Sequence, residues 1–211
     1  ITPISRRTRF EVSAERGLTP LVGRKRELQQ LKEGFKRCKA GRGEAFSIVS
    51  EAGLGKSRLL YEFRKVVAKE KLTFLEGKCL SYTRGVAYHP ILDILKSSFN
   101  ISGNDNDLDK KTKIINGLKT IGMKDESILP YLYEFLSLKD SGIDKILMSP
   151  EAKKNRIMES FKKIALKGSE IRPLILACED LHWIDKSSEE LLKDVLESIP
   201  GARVLLIFTY R

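Results

Sequence analysis

Eight residues decide most of what this chain can become: Ser50-Glu51-Ala52-Gly53-Leu54-Gly55-Lys56-Ser57. They follow a short apolar run at residues 45–49 (AFSIV). They precede residues 56–70, where Leu59, Leu60, Phe63, Val66 and Val67 share one face at helical spacing. A buried strand passing through a glycine-containing turn into an amphipathic helix is the setting of a phosphate-binding loop. Gly53 and Gly55 permit backbone angles closed to other residues, so successive N–H groups can turn inward on an anion. The helix start adds the positive end of its dipole. Lys56 is expected to neutralise β- and γ-phosphate oxygens, and the Ser57 hydroxyl to ligate Mg²⁺. Glu51, Ala52, Gly53, Leu54, Gly55, Lys56, Ser57 and Arg58 form the expected nucleotide-binding stretch. The usual pattern opens with Gly where this chain has Ser50; serine is small, so the loop is expected to form with altered affinity.

A phosphate loop needs a parallel sheet behind it, and the rest of the chain predicts one. Leu28, Leu31 and Phe35 recur at helical spacing over residues 24–40, and Gly41 and Gly43 stop that helix. Residues 72–80 read as a second strand, 174–178 (LILAC) as a third and 203–209 (RVLLIFT) as a fourth, with a helix at about 187–198 before the last. Between about residues 88 and 168 strand signals vanish, and helices are predicted at 91–99, 110–121, 128–138 and 151–166. Strand–helix alternation around a helical insert predicts an α/β parallel-sheet P-loop NTPase core covered on both faces.

Such a loop also needs carboxylates at the end of a neighbouring strand. The third strand runs directly into Glu179-Asp180. One acid is expected to bind the metal and the other to act as general base, with Glu179 placed on the metal side and Asp180 nearer the water. Ser57, Glu179 and Asp180 are therefore the candidate metal ligands. The fourth strand ends in Thr209-Tyr210-Arg211, where Thr209 and Arg211 are candidates for sensing the γ-phosphate. His182 and Trp183 read as packing and loop-shaping residues, His89 as structural, and Asp185 as the cap of the following helix.

The formal charge of +11 raises nucleic acid as a partner, but the basic residues are scattered and interleaved with acids. Nucleic acid is not expected among the partners. Cys38, Cys79 and Cys178 lie too far apart in sequence for a zinc knuckle or a disulfide framework, which points to a reducing, cytoplasmic compartment. No apolar run approaches the roughly 20 residues of a membrane span. The chain starts at Ile1, as a piece of a longer protein would, and residues 1–20 read as a linker arm ahead of a domain at 21–211.

Together these residues resemble the signal-transduction (STAND) ATPases of the AAA+ group. Leu21-Val22-Gly23-Arg24-Lys25-Arg26-Glu27-Leu28 is similar to that family's opening motif, and Glu179-Asp180-Leu181-His182-Trp183-Ile184-Asp185 to its acidic motif. The resemblance implies ATP as the nucleotide, Val22, Gly23 and Arg24 at the adenine pocket, and Lys56, Glu179, Asp180 and Arg211 as the catalytic set. It implies a Mg²⁺-dependent ATPase switch acting on neighbouring domains, with self-association open, and a chain that stops before the family's helical lid. Residues 6–20 resemble the junction that follows the catalytic domain of bacterial adenylate/guanylate cyclases, which implies a cyclase as parent. Two rival readings remain: a DNA-associated AAA+ or transcription-activator ATPase, and a nucleotide-binding scaffold that does not hydrolyse.

Overall fold

The computed structural model describes residue 17, residues 20–83 and residues 85–211. The linker arm read at 1–20 lies outside the described residues apart from Gly17 and Pro20.

The described residues form one four-stranded parallel sheet in the order β1-β4-β3-β2. Its strands are β1 (Glu44–Val49), β2 (Thr73–Lys78), β3 (Leu174–Glu179) and β4 (Val204–Tyr210). Every connection between parallel strands must cross back over the sheet, and here helices do so. Helix α1 (Lys25–Lys39) precedes β1, and α2 (Lys56–Val67) links β1 to β2. Between β2 and β3 lie α3 (His89–Ser98), α4 (Asp107–Thr120), α5 (Leu129–Phe135) and α6 (Pro150–Ile171). Helix α7 (Lys186–Ser198) links β3 to β4.

The central strands explain why both faces are covered. All six residues of β3 are buried, so its sequence runs apolar without alternating. Leu174, Leu176 and Cys178 join Val204, Leu206 and Phe208 in a core shared with α3, α7 and the insert helices. Ile175 and Ala177 join Leu205 and Ile207 beneath Leu31 and Phe35 of α1 and Leu59, Leu60 and Phe63 of α2. Each such Leu or Ile contributes about 1.5–3 kcal/mol when fully buried. At the sheet's far edge a Cβ on Gly43 would lie 2.0 Å from the Ile199 carbonyl oxygen, so only glycine lets β1 start beside the end of α7.

Helix α2 stops at Val67 rather than 70 and α5 at Phe135 rather than 138, and two larger differences have a local cause. Helix α4 begins three residues early because the Asn106 side chain accepts the Asp109 N–H at 2.8 Å, a cap that pulls Asp107 into the first turn. Helix α6 continues five residues past 166: Ser169 turns its hydroxyl back onto the Leu166 carbonyl at 2.7 Å rather than breaking the helix. It ends where Arg172 precedes Pro173, a position pushed to extended angles (φ −142°, ψ 142°).

Candidate functional site

The strand order places the carboxyl ends of β1, β4 and β3 side by side, and all the sequence-predicted polar groups emerge there. This is the edge at which open α/β sheets receive ligands. Residues 50–55 leave β1 with Gly53 (φ 82°) and Gly55 (φ 81°) in the left-handed region, and α2 then starts at Lys56 without a side-chain cap. Its first N–H groups are thus left to an outside acceptor. The Ser50 N–H donates to the Tyr210 carbonyl at 3.3 Å, tying the loop to the end of β4.

Lys56, 8% exposed, donates from Nζ to the Ser50 carbonyl at 2.6 Å and to the Glu51 carbonyl at 3.0 Å. Ser57 Oγ donates to Glu179 Oε2 at 2.6 Å across 122 residues of sequence. A hydroxyl and a carboxylate in contact are two hard oxygen donors of the type Mg²⁺ prefers, so the residues present fit that ion. Asp180 follows in the left-handed region (φ 56°), with its side chain exposed and its N–H donated to Thr209 Oγ1 at 3.1 Å. The bend separates the two acids: Glu179 turns to the phosphate loop while Asp180 stays open to solvent.

The opening segment is tied to the same loop. Arg24 donates from Nη2 to the Leu54 carbonyl at 2.9 Å and pairs through Nη1 with Glu27 at 3.1 Å. Gly23 is left-handed (φ 76°), and Val22 and Leu54 are exposed. Arg58, at the first turn of α2, pairs with Glu62 along the helix, its Nε donating to Oε1 at 2.9 Å. Asp185 caps α7, accepting from the Ser188 N–H at 2.9 Å, and also accepts the Tyr88 N–H at 3.1 Å.

Two residues at this edge were not assigned a site role from sequence. Lys78, in register with Glu179 on the neighbouring strand, brings Nζ to 3.8 Å from Glu179 Oε1. His182 buries both ring nitrogens with no hydrogen-bond partner among the described residues, its ring 5.1 Å from that of Trp183. Burial pushes the imidazole below its ordinary value; Asp180 opposes this, and Arg211 and Lys56 add to it. It is therefore a neutral ring among the site's charges, with one donor and one acceptor to offer. The signal for Lys78 was its place at the end of an edge strand, and for His182 its place two residues after the acids.

The thiols stand apart from this chemistry. Burial pushes Cys79 up to about 12 and Cys38 up to about 11, and raises Cys178 further still, so none is a nucleophile at neutral pH.

Two expectations are corrected here: β1 is an edge strand with only Ile48 buried, and Glu179 reaches the loop from β3, with β4 in between, rather than from the neighbouring strand. A glycine loop joining a parallel strand to a helix, with a strand-end carboxylate on its serine, defines the class: an α/β P-loop NTPase core. Within that class the sequence profile of the AAA ATPase domain matches residues 20–207, and the chain belongs to that family. It is 27% identical over 197 residues to an uncharacterized protein of Rhizobium meliloti (strain 1021), covering 91% of this chain and 18% of that protein. It is 29% identical over 181 residues to the hybrid signal transduction histidine kinase G of Dictyostelium discoideum, covering 84% of this chain and 5% of that protein. The chain thus spans under a fifth of the length of either relative. Among the described residues no helix is long and apolar enough to cross a membrane.

Proposed function

We propose that this chain is the ATP-binding and ATP-hydrolysing switch of a larger signalling protein, with residues 21–211 as the ATPase domain and about 88–168 as its helical insert. The observation that carries the reading is the 2.6 Å contact between Ser57 and Glu179, which brings the phosphate loop and the acidic strand end to one cleft. Lys56 exchanges the Ser50 and Glu51 carbonyls for phosphate oxygens, and the uncapped start of α2 supplies N–H donors beside it. Val22, Gly23 and Arg24 sit against the loop through the Arg24–Leu54 bond, where an adenine ring would pack on exposed apolar side chains. Mg²⁺ held by Ser57 and Glu179 would supply charge neutralisation at the β- and γ-phosphates. Asp180, turned away from Glu179 and open to solvent, takes the proton of the attacking water. Arg211 lies beyond β4, with its charge felt at His182, and His182 offers its unpaired ring nitrogens to the γ-phosphate or to that water.

A signalling parent is supported by the Dictyostelium relative being a hybrid signal transduction histidine kinase, and a nucleotide cyclase parent of STAND type by the resemblance of residues 6–20. Bound ATP would favour one arrangement of neighbouring domains and hydrolysis would reset it.

Calorimetric titration with Mg·ATP tests the reading. Saturable binding that Lys56→Ala weakens at least about tenfold is the expected result, since charge-assisted phosphate contacts are lost. An affinity unchanged by Lys56→Ala would refute it. Phosphate release that stays at background with ATP fully bound would convert the reading to a non-hydrolysing nucleotide scaffold.

A further inference from the structure

A second cavity lies at the opposite end of the sheet. Its volume is about 540 Å³, within the range of small-molecule sites. Its floor is made where β2 and β3 begin, by Leu75, Leu174 and Leu176, and helices α3, α4 and α6 wall it with Phe99, Ile121 and Phe161. The five steps along the six residues of β3, from Leu174 to Glu179, set its Leu174 end about 16 Å from the carboxylate at the phosphate loop.

The lining is apolar inside and one-signed in charge. It includes Lys113 and Arg172 and no acidic residue. The two cations differ in their partners. Lys113 is spent on its neighbours, donating from Nζ to the Asn100 carbonyl at 2.8 Å and to Asp105. The Arg172 guanidinium is exposed and has no hydrogen bond or ion pair with any described residue. The side-chain amide of Asn116 is likewise unpaired among the described residues. Two of the three hydroxyls that line the cavity are committed, Ser98 to the Leu95 carbonyl and Thr120 to the Asn116 carbonyl, both at 2.8 Å, while that of Thr73 has no partner among the described residues. An uncompensated guanidinium beside a hydrocarbon-lined hollow matches a ligand with one anionic end and an apolar tail.

From this we infer that the cavity between the insert helices and the amino ends of β2 and β3 is a binding site for an amphipathic anion, of which a medium-chain carboxylate is the simplest member. The tail fills the space among Phe99, Ile121 and Phe161, and the headgroup pairs with Arg172 and Asn116. The site is independent of the nucleotide cleft, so ligand binding here does not require Mg·ATP.

Decanoate, below its micelle concentration, is the probe for calorimetric titration of the chain, with decylammonium as a tail-matched cation and decyl phosphate as a lipid-like headgroup. One decanoate is expected per chain, with decylammonium at least about tenfold weaker. Tighter binding of decyl phosphate than of decanoate would assign the site to a phosphate headgroup, and the reverse to a free acid; both support an anion site. Two variants locate it. Gly168→Leu fills the hollow: a Cβ at Gly168 meets nothing nearer than Ile121 Cγ2 at 3.9 Å, so the side chain grows into the cavity without a backbone clash. It is expected to abolish decanoate binding. Arg172→Glu, at an exposed and unpartnered side chain, tests charge without touching the core and is expected to weaken decanoate at least about tenfold. Decanoate binding that is absent in the wild type, matched by decylammonium, or unchanged in Arg172→Glu overturns the inference.

Discussion

The Asp180 N–H donates to Thr209 Oγ1 at 3.1 Å, so the residue that leaves β3 is anchored to the strand beside it. Asp180 needs that anchor, since a non-glycine residue at φ 56° is strained on its own. Thr209 is 1% exposed, and replacing it with Val leaves the Asp180 N–H without its acceptor. Thr209→Val is expected to destabilise the fold by about 1–2 kcal/mol in urea denaturation and to lower phosphate release. Thr209→Ser, which keeps the hydroxyl, should preserve turnover. Equal turnover in Val and Ser variants would deny the anchor any part in positioning the acid.

The separation of the two acids predicts different defects. Glu179→Gln removes the charge opposite Ser57 and is expected to reduce Mg²⁺-dependent ATP affinity about tenfold or more. Asp180→Asn is expected to leave affinity within about threefold while cutting phosphate release about a hundredfold, as loss of a general base does. Affinity and release measured side by side check the division, and an exchange of the two phenotypes would reverse the assignment.

Acid titration should expose the pairing of Asp105 with Lys113. The Lys113 hydrogen bond, helped by the Ser102 N–H, holds this carboxyl at about 2, below its ordinary 3.8. A depressed carboxyl contributes stability that is fully present above the unfolded value and is lost as pH falls through the folded one. The melting temperature is thus expected to fall more steeply between pH 4 and 2 in the wild type than in Asp105→Asn. Parallel curves for the two proteins would show that the pair contributes nothing to folding.

Gly43 provides a test of packing with no bearing on the cleft. An alanine Cβ there would meet the Ile199 carbonyl oxygen at 2.0 Å and its carbon at 2.8 Å, and both are backbone atoms that cannot rotate away. Gly43→Ala is expected to cost about 2 kcal/mol or more, read as a fall in melting temperature. A melting temperature equal to the wild type would mean that β1 and α7 can separate freely.

What the sequence made legible follows from how local each signal is. The phosphate loop is contiguous, so its residues, its flanking strand and its helix could all be read from residues 45–67. The buried strands were legible because a run such as LILAC has no solvent face to interrupt it. Lys78 beside Glu179 was not legible, because the sheet order β1-β4-β3-β2 is not the order of the chain. The buried nitrogens of His182, unpaired among the described residues, were not legible because they are a property of its surroundings, and nothing local announces them. The far cavity escaped for a related reason: Gly168-Ser169 looks like the end of a helix, whereas Ser169 bonds back to Leu166 and carries the helix on to the cavity mouth.

Lys56 already bridges the carbonyls of Ser50 and Glu51 from within the loop. Under the proposed function, nucleotide capture is a swap of partners for an ammonium already engaged by its own loop. What changes on occupancy is the fate of two released carbonyl oxygens, and these are where a messenger of the bound state would first be felt.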